Sequence, residues 1–280
     1  MLPKVSIVTP SFNQGRYVAR TVRSVLLQDY PNVEYLFLDG GSTDETLAAV
    51  APYLDRFAYW RSARDAGQSA AVHEGLARAR GEILGYLNSD DLLAPGTLSR
   101  VVEYFGRHPD VDAVYSHRLV IDEHGLVTHA WLLPPHADYL IRRWDWIPQE
   151  TCFWRRRLFE RAGNVDPGLA FAFDYELFVR YMRAGKFARL NGFLGAFRRH
   201  EDSKTVSQFE TVGRREIELV HERHGIRLHP HDFLLGKGLG YLVTRLGALY
   251  VRLPSAGRRG RDYDSTFWGD RLAEDARKSE

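Results

Sequence analysis

Short apolar runs alternate with amphipathic segments over the first hundred residues of this chain. Four apolar runs of strand length, bounded by turn residues, predict strands at 5–8, 33–38, 57–61 and 82–87. Helical spacing or a capping pattern predicts helices at 15–28, after Ser42-Thr43-Asp44-Glu45, and at 70–80. This alternation predicts a parallel sheet covered by helices.

The pattern changes after residue 110. Further strands, including a hairpin around Asp122-Glu123-His124-Gly125, are predicted at 111–116, 118–121, 125–129, 187–190 and 193–198. Helices are predicted near 158–161 and 174–184. We therefore expect an α/β domain over 1–225, with halves 1–110 and 111–225, built on a mixed central sheet with helices on both faces. A C-terminal extension, 226–280, follows it.

Composition limits the classes of protein to which the chain can belong. A length of 280 residues suits one large domain, and a formal net charge of +2 is too small for a general nucleic-acid binder. Cys152 is the only cysteine, so no intrachain disulfide forms. We find neither a signal-peptide pattern nor an apolar stretch of about 18 residues, and expect a cytoplasmic protein.

Acidic residues follow three of the four predicted strands. Asp39 follows the second strand, Asp65 the third, and Asp90-Asp91 the fourth, while Thr9-Pro10 ends the first. A single Asp at such a position most often caps a helix or a turn. Together they lie at the carboxyl edge of the sheet, where open α/β sheets bind ligands. Two adjacent buried acids need compensation, which a divalent cation carrying a diphosphate would supply.

Five segments in this order resemble the motifs of family 2 glycosyltransferases with the GT-A fold, over roughly residues 3–205. They are Val5-Ser6-Ile7-Val8-Thr9-Pro10-Ser11-Phe12-Asn13, Leu38-Asp39-Gly40-Gly41-Ser42-Thr43-Asp44-Glu45-Thr46, Arg64-Asp65-Ala66-Gly67-Gln68-Ser69, Leu87-Asn88-Ser89-Asp90-Asp91 and Phe173-Asp174-Tyr175-Glu176-Leu177. The resemblance implies an inverting enzyme that moves a sugar from a nucleotide diphosphate sugar to an acceptor hydroxyl.

The resemblance also assigns binding roles. The positions that match nucleotide-binding residues are Thr9, Pro10, Asp39, Asp65 and Asp90, with Asp39 and Asp65 facing the base. The positions that match ligands of Mg²⁺ or Mn²⁺ are Asp91, Asp90 and His200. Asn88 stands where many relatives have a first Asp, which leaves open whether Asp90 or Asp91 contacts the metal.

Asp174 matches the general base of the inverting enzymes. Without the resemblance, an Asp at the start of a helix is interpreted as a cap. Trp144, Trp146 and Gln149 lie in a segment that the resemblance places beside the sugar and the acceptor. The two tryptophans are equally consistent with sugar binding and with core packing.

The donor is expected to be a UDP, GDP or dTDP sugar. The acceptor is expected to be a glycan or a lipid-linked precursor, as in the synthesis of bacterial surface polysaccharide. Two alternatives stay open: a non-catalytic nucleotide- or glycan-binding module, and a sugar nucleotidyltransferase. The second would need a Gly-rich basic loop after the first strand, where this chain has Ser11-Phe12-Asn13-Gln14-Gly15.

The segment 233–253 is apolar except for three basic residues. On a helix, Lys237, Arg245 and Arg252 would fall within about 80° of one another. The basic loop Arg258-Arg259-Gly260-Arg261 follows. This pattern is typical of a helix at a membrane surface, here the inner face, with contact through 233–261. The alternatives are packing on the domain or on a second subunit of a homo-oligomer, and disorder.

Overall fold

The computed structural model describes residues 2–201 and 203–253. Within them, nine strands form one sheet: β1 Val5–Ser11, β2 Val33–Asp39, β3 Tyr59–Ser62, β4 Ile83–Tyr86, β5 Leu92–Leu93, β6 Ala113–Ile121, β7 Val127–Trp131, β8 Phe153–Arg155 and β9 Phe187–Arg198. The α-helices of these residues are α1 Val18–Leu26, α2 Thr46–Val50, α3 Gln68–Arg78, α4 Thr97–Arg107, α5 Asp138–Ile141, α6 Arg156–Ala162, α7 Phe173–Ala184, α8 Lys204–Ser207, α9 Arg214–Arg223 and α10 Pro230–Tyr250.

The sheet is mixed, with the order β3-β2-β1-β4-β8-β6-β9-β5 and with β7 paired to β6. The first four strands are parallel, as predicted, because β1 pairs with β2 and β4, and β2 pairs with β3. Strand β8 runs antiparallel to both β4 and β6 and so joins the two halves of the sheet.

Two predicted breaks in strands are absent. The segments 111–116 and 118–121 form the single strand β6, and 187–190 and 193–198 form the single strand β9. The register between them shifts at His117, because Leu190 pairs with Ser116 whereas Phe193 pairs with His117. This bulge, in which Gly192 has a φ of +95°, interrupts the apolar alternation without ending the strand.

Helices cover both faces of the sheet. On one face, α1 and α4 pack against β1 and β2 through residues such as Val22, Leu98 and Phe37. On the other face, α3 and α7 pack against the same strands and β4 through residues such as Leu76 and Phe178. Strands β1, β2 and β4 are therefore largely buried on both sides, which explains their continuous apolar sequences, whereas residues of the edge strand β3 alternate between half-buried and exposed.

The predicted capping box after β2 does not form. Helix α2 begins only at Thr46, and Asp44 accepts hydrogen bonds from the backbone N–H groups of Thr46 at 3.0 Å and Gly15 at 2.9 Å. The Ser42 hydroxyl donates to Asp39 at 2.5 Å and accepts from the Asn13 N–H at 2.8 Å. These polar groups therefore connect the loops after β1 and β2.

Helix α10 packs lengthwise on β7. Its Val243 is buried, and a Cβ atom at Gly247 would lie 1.7 Å from the Ala130 carbonyl oxygen, so only glycine allows this approach. No helix within residues 2–201 and 203–253 is long and apolar enough to cross a membrane. The basic loop 258–261 lies outside the described residues.

Gly75 provides a test of the packing between α3 and β1. A Cβ atom there would lie 2.3 Å from Val8 Cγ1 and 3.0 Å from Leu38 Cδ1, whereas a Cβ at Gly106 of α4 would meet nothing within 4 Å. We expect Gly75→Ala to lower the free energy of unfolding by about 1–3 kcal/mol through overpacking. The control Gly106→Ala should raise it by roughly 0.5–1 kcal/mol. Urea unfolding measures both, and a stabilised Gly75→Ala would contradict this packing.

Candidate active site

A cavity of about 1110 Å³ opens at the carboxyl ends of the first four strands. Pro10 from the end of β1, Gly40 after β2, Asp65 after β3 and the segment Asn88–Asp91 after β4 all line it. The prediction that these strands present their acids at one edge is confirmed for Asp65, Asp90 and Asp91. The opposite wall comes from β6, β7, β9, the segment 143–150, and residues 203–233.

The acid pair lies where the chain passes from β4 to β5. Strand β5 pairs with β9, and there the Arg198 N–H donates to Asp91 at 2.9 Å. The Arg198 guanidinium is completely buried, lies over the Tyr17 ring, and donates to the carbonyl oxygens of Asp90 at 2.9 Å and Asp122 at 3.0 Å. Arg198 therefore fixes both acids from the second half of the sheet.

Asp91 is the buried member of the pair, only 1 % exposed. Burial raises its pKa well above the usual range, and the neighbouring carboxylates of Asp90 and Glu150 raise it further. The Asn88 amide contacts its second oxygen at 3.4 Å. Asn88 thus places a neutral donor beside Asp91, where a second carboxylate would repel it.

Asp90 faces the cavity and contacts His200. The two side chains meet at 3.0 Å between Oδ2 and Nε2, and the His200 ring packs against Tyr17. His200 itself is buried behind Asp90, and its Nδ1 atom has no hydrogen-bond partner within the described residues. Asp90 thus presents an oxygen donor to the cavity, with the His200 ring directly behind it.

The Asp90 carboxylate, with His200 behind it, fits a metal that is shared with a diphosphate. Within residues 2–201 and 203–253, no group of three or more His, Cys, Asp or Glu side chains is arranged to hold a metal ion alone. Mg²⁺ sites in nucleotide-dependent enzymes typically use one or two carboxylates, with phosphate oxygens and water completing the shell. Asp90 has the required chemistry, whereas Asp91 already accepts the Arg198 N–H.

Thr9 and Asp39 support the cavity wall from beneath. Thr9 is completely buried and bonds the Tyr35 hydroxyl at 3.0 Å. Asp39 is also completely buried and accepts hydrogen bonds from both Ser42 and Ser62, as well as from the Gly41 N–H. These donors hold the Asp39 carboxylate at the loop that carries Gly40, and its role of facing the base stays a prediction.

Asp65 does face the cavity, and its orientation is fixed. Its carboxylate accepts from the Gly67 N–H at 2.9 Å and from the Arg61 guanidinium at 3.1 Å. Phe12 and Arg64 line the same end of the cavity, and 60 % of the surface of Phe12 is exposed. An exposed aromatic ring beside a fixed carboxylate offers a stacking surface and a hydrogen-bond acceptor. Phe12 lies within the first motif, but no residue pattern in the sequence assigns it a role.

Asp174 lies at the start of α7 and faces the same cavity as Asp90. Burial raises its pKa to about 6, against the hydrogen bond that it accepts from the Tyr175 N–H at 2.8 Å. Asp145 also lines the cavity. Burial, and to a smaller extent the nearby Asp174 carboxylate, raises its pKa well above the usual range. At neutral pH, Asp174 is therefore the ionised member of this pair.

The Trp144-Asp145-Trp146 segment and Gln149 line the cavity. Gln149 is buried and donates to the Tyr86 carbonyl oxygen at 2.5 Å, while its own carbonyl oxygen has no partner within the described residues. Trp144 packs edge to face against Phe233 and touches Gly236 of α10. Trp144 is thus part of the cavity wall and also of the contact with α10; this supports the packing interpretation, and sugar binding stays a prediction.

Two cations in the cavity wall were not identified from the sequence. Arg118 lies between the Trp131 and Phe197 rings and forms an ion pair with the buried Glu150 at 2.5 Å. Lys204 donates to the Ala170 carbonyl oxygen at 3.0 Å; burial lowers its pKa, and Asp174 opposes this effect. Both come from segments without a motif, so only the fold brings them to the acids.

The sequence profile of Glycosyl transferase family 2 matches residues 6–166, more than half of the chain. The chain belongs to this family. An uncharacterized glycosyltransferase of Mycobacterium tuberculosis is 31% identical to this glycosyltransferase over 281 residues, which cover 95% of each chain. Chondroitin synthase of Escherichia coli is 25% identical over 241 residues, which cover 82% of this chain and 34% of that protein.

Solved structures show the same fold. Staphylococcus aureus TarS in complex with UDP has a TM-score of 0.61 at 18% identity, over 89% of this chain and 75% of TarS. The mannosyltransferase PcManGT of Pyrobaculum calidifontis, in complex with GDP-Man and Mn²⁺, has a TM-score of 0.61 at 19% identity, over 87% of this chain and 70% of PcManGT. The expected GT-A fold and family are therefore confirmed.

The different environments of Asp90 and Asp91 predict different effects of truncation. Asp91→Ala leaves the buried Arg198 N–H without an acceptor and should lower the free energy of unfolding by roughly 2–3 kcal/mol. Asp90→Ala should lower it by about 1 kcal/mol or less and should weaken Mn²⁺-dependent UDP or GDP binding at least about tenfold. Urea unfolding and calorimetric titration measure these effects. Equal losses of stability, or unchanged nucleotide binding in Asp90→Ala, would contradict the assignment.

Proposed function

We propose that this glycosyltransferase is a metal-dependent, inverting enzyme that uses a nucleotide diphosphate sugar. The observation that carries the proposal is that Asp90 and Asp174 line the same cavity, with an ionised carboxylate at Asp174 at neutral pH. Asp90 is thus placed to hold a metal at the leaving diphosphate, and Asp174 is placed to accept the proton of the attacking hydroxyl.

The nucleotide would occupy the end of the cavity formed by the loops after β1, β2 and β3. Its base would stack on the exposed Phe12 ring and donate to the fixed Asp65 carboxylate, with Arg64 beside them. Structures with the same fold hold UDP, UDP-GlcNAc and GDP-Man. These ligands support a nucleotide sugar donor, and dTDP sugars are the third class that we consider.

The diphosphate would lie at the end of β4. Asp90 and His200 would hold Mg²⁺ or Mn²⁺ together with the phosphate oxygens, and Lys204 supplies a further positive charge at the cavity wall. Such a metal neutralises negative charge that develops on a departing diphosphate. The Mn²⁺ in the PcManGT complex supports this choice of cofactor.

Asp174 would act as the general base. An acceptor hydroxyl loses its proton to the Asp174 carboxylate while its oxygen attacks the anomeric carbon. The bond between that carbon and the diphosphate oxygen breaks, and the nucleoside diphosphate leaves. Attack from the side opposite the leaving group inverts the anomeric configuration.

The acceptor would bind at the wall formed by Trp144, Trp146 and Gln149. The tryptophan rings offer apolar faces to a sugar, and the Gln149 carbonyl oxygen can accept a hydrogen bond from a hydroxyl. The similarity to chondroitin and hyaluronan synthases supports a role in bacterial polysaccharide synthesis. A lipid-linked glycan at the inner face of the membrane is the acceptor that we favour, in agreement with the predicted cytoplasmic location.

Donor hydrolysis distinguishes the candidate functions. With a panel of UDP, GDP and dTDP sugars, a glycosyltransferase should slowly release the nucleoside diphosphate in the presence of Mn²⁺ and much less of it in EDTA. A binding module should bind the donor without cleaving it. A sugar nucleotidyltransferase should instead release nucleoside triphosphate from a sugar nucleotide and pyrophosphate. Either of the last two results would contradict the proposal.

The pKa of Asp174 predicts the pH dependence of turnover. The base works as a carboxylate, so kcat should fall tenfold per pH unit below about pH 6 and should level off above it. Asp174→Asn keeps the size of the side chain but removes its basicity, so kcat should drop roughly 10²-fold or more, with donor affinity retained. Loss of turnover in Asp145→Asn together with near wild-type turnover in Asp174→Asn would assign the base to Asp145 instead.

The exposed ring of Phe12 predicts a stacking contribution to nucleotide affinity. Phe12→Ala should weaken UDP or GDP binding by about 1–3 kcal/mol, the usual value for a base on an aromatic ring. Trp60→Ala is the control, since Trp60 is also an exposed aromatic but belongs to the outer strand β3, away from the cavity. Isothermal titration measures both affinities. An equal effect of the two substitutions would remove Phe12 from the base site.

A further inference from the structure

The outer face of α10 is an exposed apolar surface. Leu234 is 76% exposed, and five further leucines of the helix and its end are each between 41% and 58% exposed: Leu235, Leu242, Leu246, Leu249 and Leu253. At 100° per residue these five fall on one stripe of the helix. We call this the leucine stripe. Removing such side chains from water is strongly favourable, so a stripe of this length indicates a surface that binds a membrane or another protein.

The inner face of α10 holds the helix firmly in place. Gly247 contacts β7, and Gly236 contacts Trp144. At its start, the buried Asp232 accepts a hydrogen bond from the Tyr139 hydroxyl at 2.5 Å and forms an ion pair with Arg143 at 3.4 Å. The leucine stripe therefore belongs to an anchored helix and lies on its exposed flank, about 90° around the helix from the face that packs on the domain.

The exposed charges of α10 and its end are basic. Lys237, Arg245 and Arg252 are exposed, and none of them forms an ion pair within residues 2–201 and 203–253. Arg245 donates instead to the Tyr241 hydroxyl at 2.8 Å. Arg245 and Arg252 lie about 80° around the helix from the centre of the stripe. At this angle, their long side chains can reach charged groups at the edge of an apolar layer.

We propose that α10 lies flat on an anionic lipid bilayer, with the leucine stripe among the acyl chains and Arg245 and Arg252 at the phosphates. An interfacial helix needs an apolar face bordered by basic residues, and α10 offers this face as part of a folded domain. The three arginines in the sequence at 258–261 add positive charge directly after it. The proposal goes beyond glycosyl transfer and does not depend on it.

A second copy of the chain could also cover the leucine stripe, by pairing of two α10 helices. The spacing Leu242, Leu246, Leu249, Leu253 also occurs in paired helices. A symmetric pair of α10 helices would, however, bring Arg245 and Arg252 of one copy close to the same residues of the other. No exposed acid of α10 would compensate these charges, because the only acid of the helix is the buried Asp232. Charge complementarity therefore favours the anionic bilayer.

Vesicle flotation of the full chain tests the proposal. The protein should float with vesicles of phosphatidylglycerol and phosphatidylcholine and much less with pure phosphatidylcholine. Leu242→Gln/Leu246→Gln/Leu249→Gln should reduce the bound fraction at least about tenfold by removing apolar area. Arg245→Gln/Arg252→Gln should reduce it about tenfold or more while leaving the leucines in place. The control Leu47→Gln/Trp60→Gln changes exposed apolar residues elsewhere and should float like the wild type.

Sedimentation velocity without lipid provides the second measurement. We expect a monomer for the wild type and for each variant, with unchanged circular dichroism and Tm, so that lost flotation reports on the surface alone. Failure of the wild type to float at low salt would overturn the proposal. So would a concentration-dependent dimer that the triple leucine variant abolishes, since a second copy would then cover the stripe. Equal flotation of the arginine variant would exclude the anionic contact.

Discussion

The contact between Arg198 and the acid pair is the interaction on which the site depends. It connects the turn between β4 and β5, which carries Asp90 and Asp91, to β9 in the other half of the sheet. A completely buried guanidinium is costly unless its surroundings compensate its charge. Here the guanidinium donates to the carbonyl oxygens of Asp90 and Asp122 and lies over the Tyr17 ring, while the Arg198 backbone N–H donates to the Asp91 carboxyl group. The Arg198 contacts therefore join the two halves of the sheet at the point where we propose that the diphosphate binds.

Unequal environments give the acids of the cavity different protonation states. Burial and neighbouring carboxylates raise the pKa of Asp91 and of Asp145, which favours their neutral forms. Asp174 stays mostly ionised at neutral pH, with a pKa of about 6. A cavity with many carboxyl groups can thus provide a base at Asp174 without carrying the full negative charge that would repel a diphosphate.

The parts of the fold that could be predicted are those with local signals. The parallel strands β1, β2 and β4 are largely buried on both faces and therefore appear as continuous apolar runs, and acids end or follow β2 and β4. The environment of Asp39 could not be predicted, because one of its donors, Ser62, lies 23 residues away. The Arg118–Glu150 pair likewise spans 32 residues, and the bulge in β9 hid the continuity of that strand. Tertiary contacts decided each of these cases, and no local pattern encodes them.

We propose above all that Asp90 and His200 hold a metal together with the donor diphosphate at the end of β4. Anomalous diffraction from crystals grown with Mn²⁺ and a nucleoside diphosphate tests this claim most directly. The predicted result is one strong manganese peak within coordination distance of an Asp90 oxygen and of the diphosphate, beside His200. A diphosphate bound at the cavity without manganese near Asp90, or a manganese peak at another group of residues, would contradict the claim.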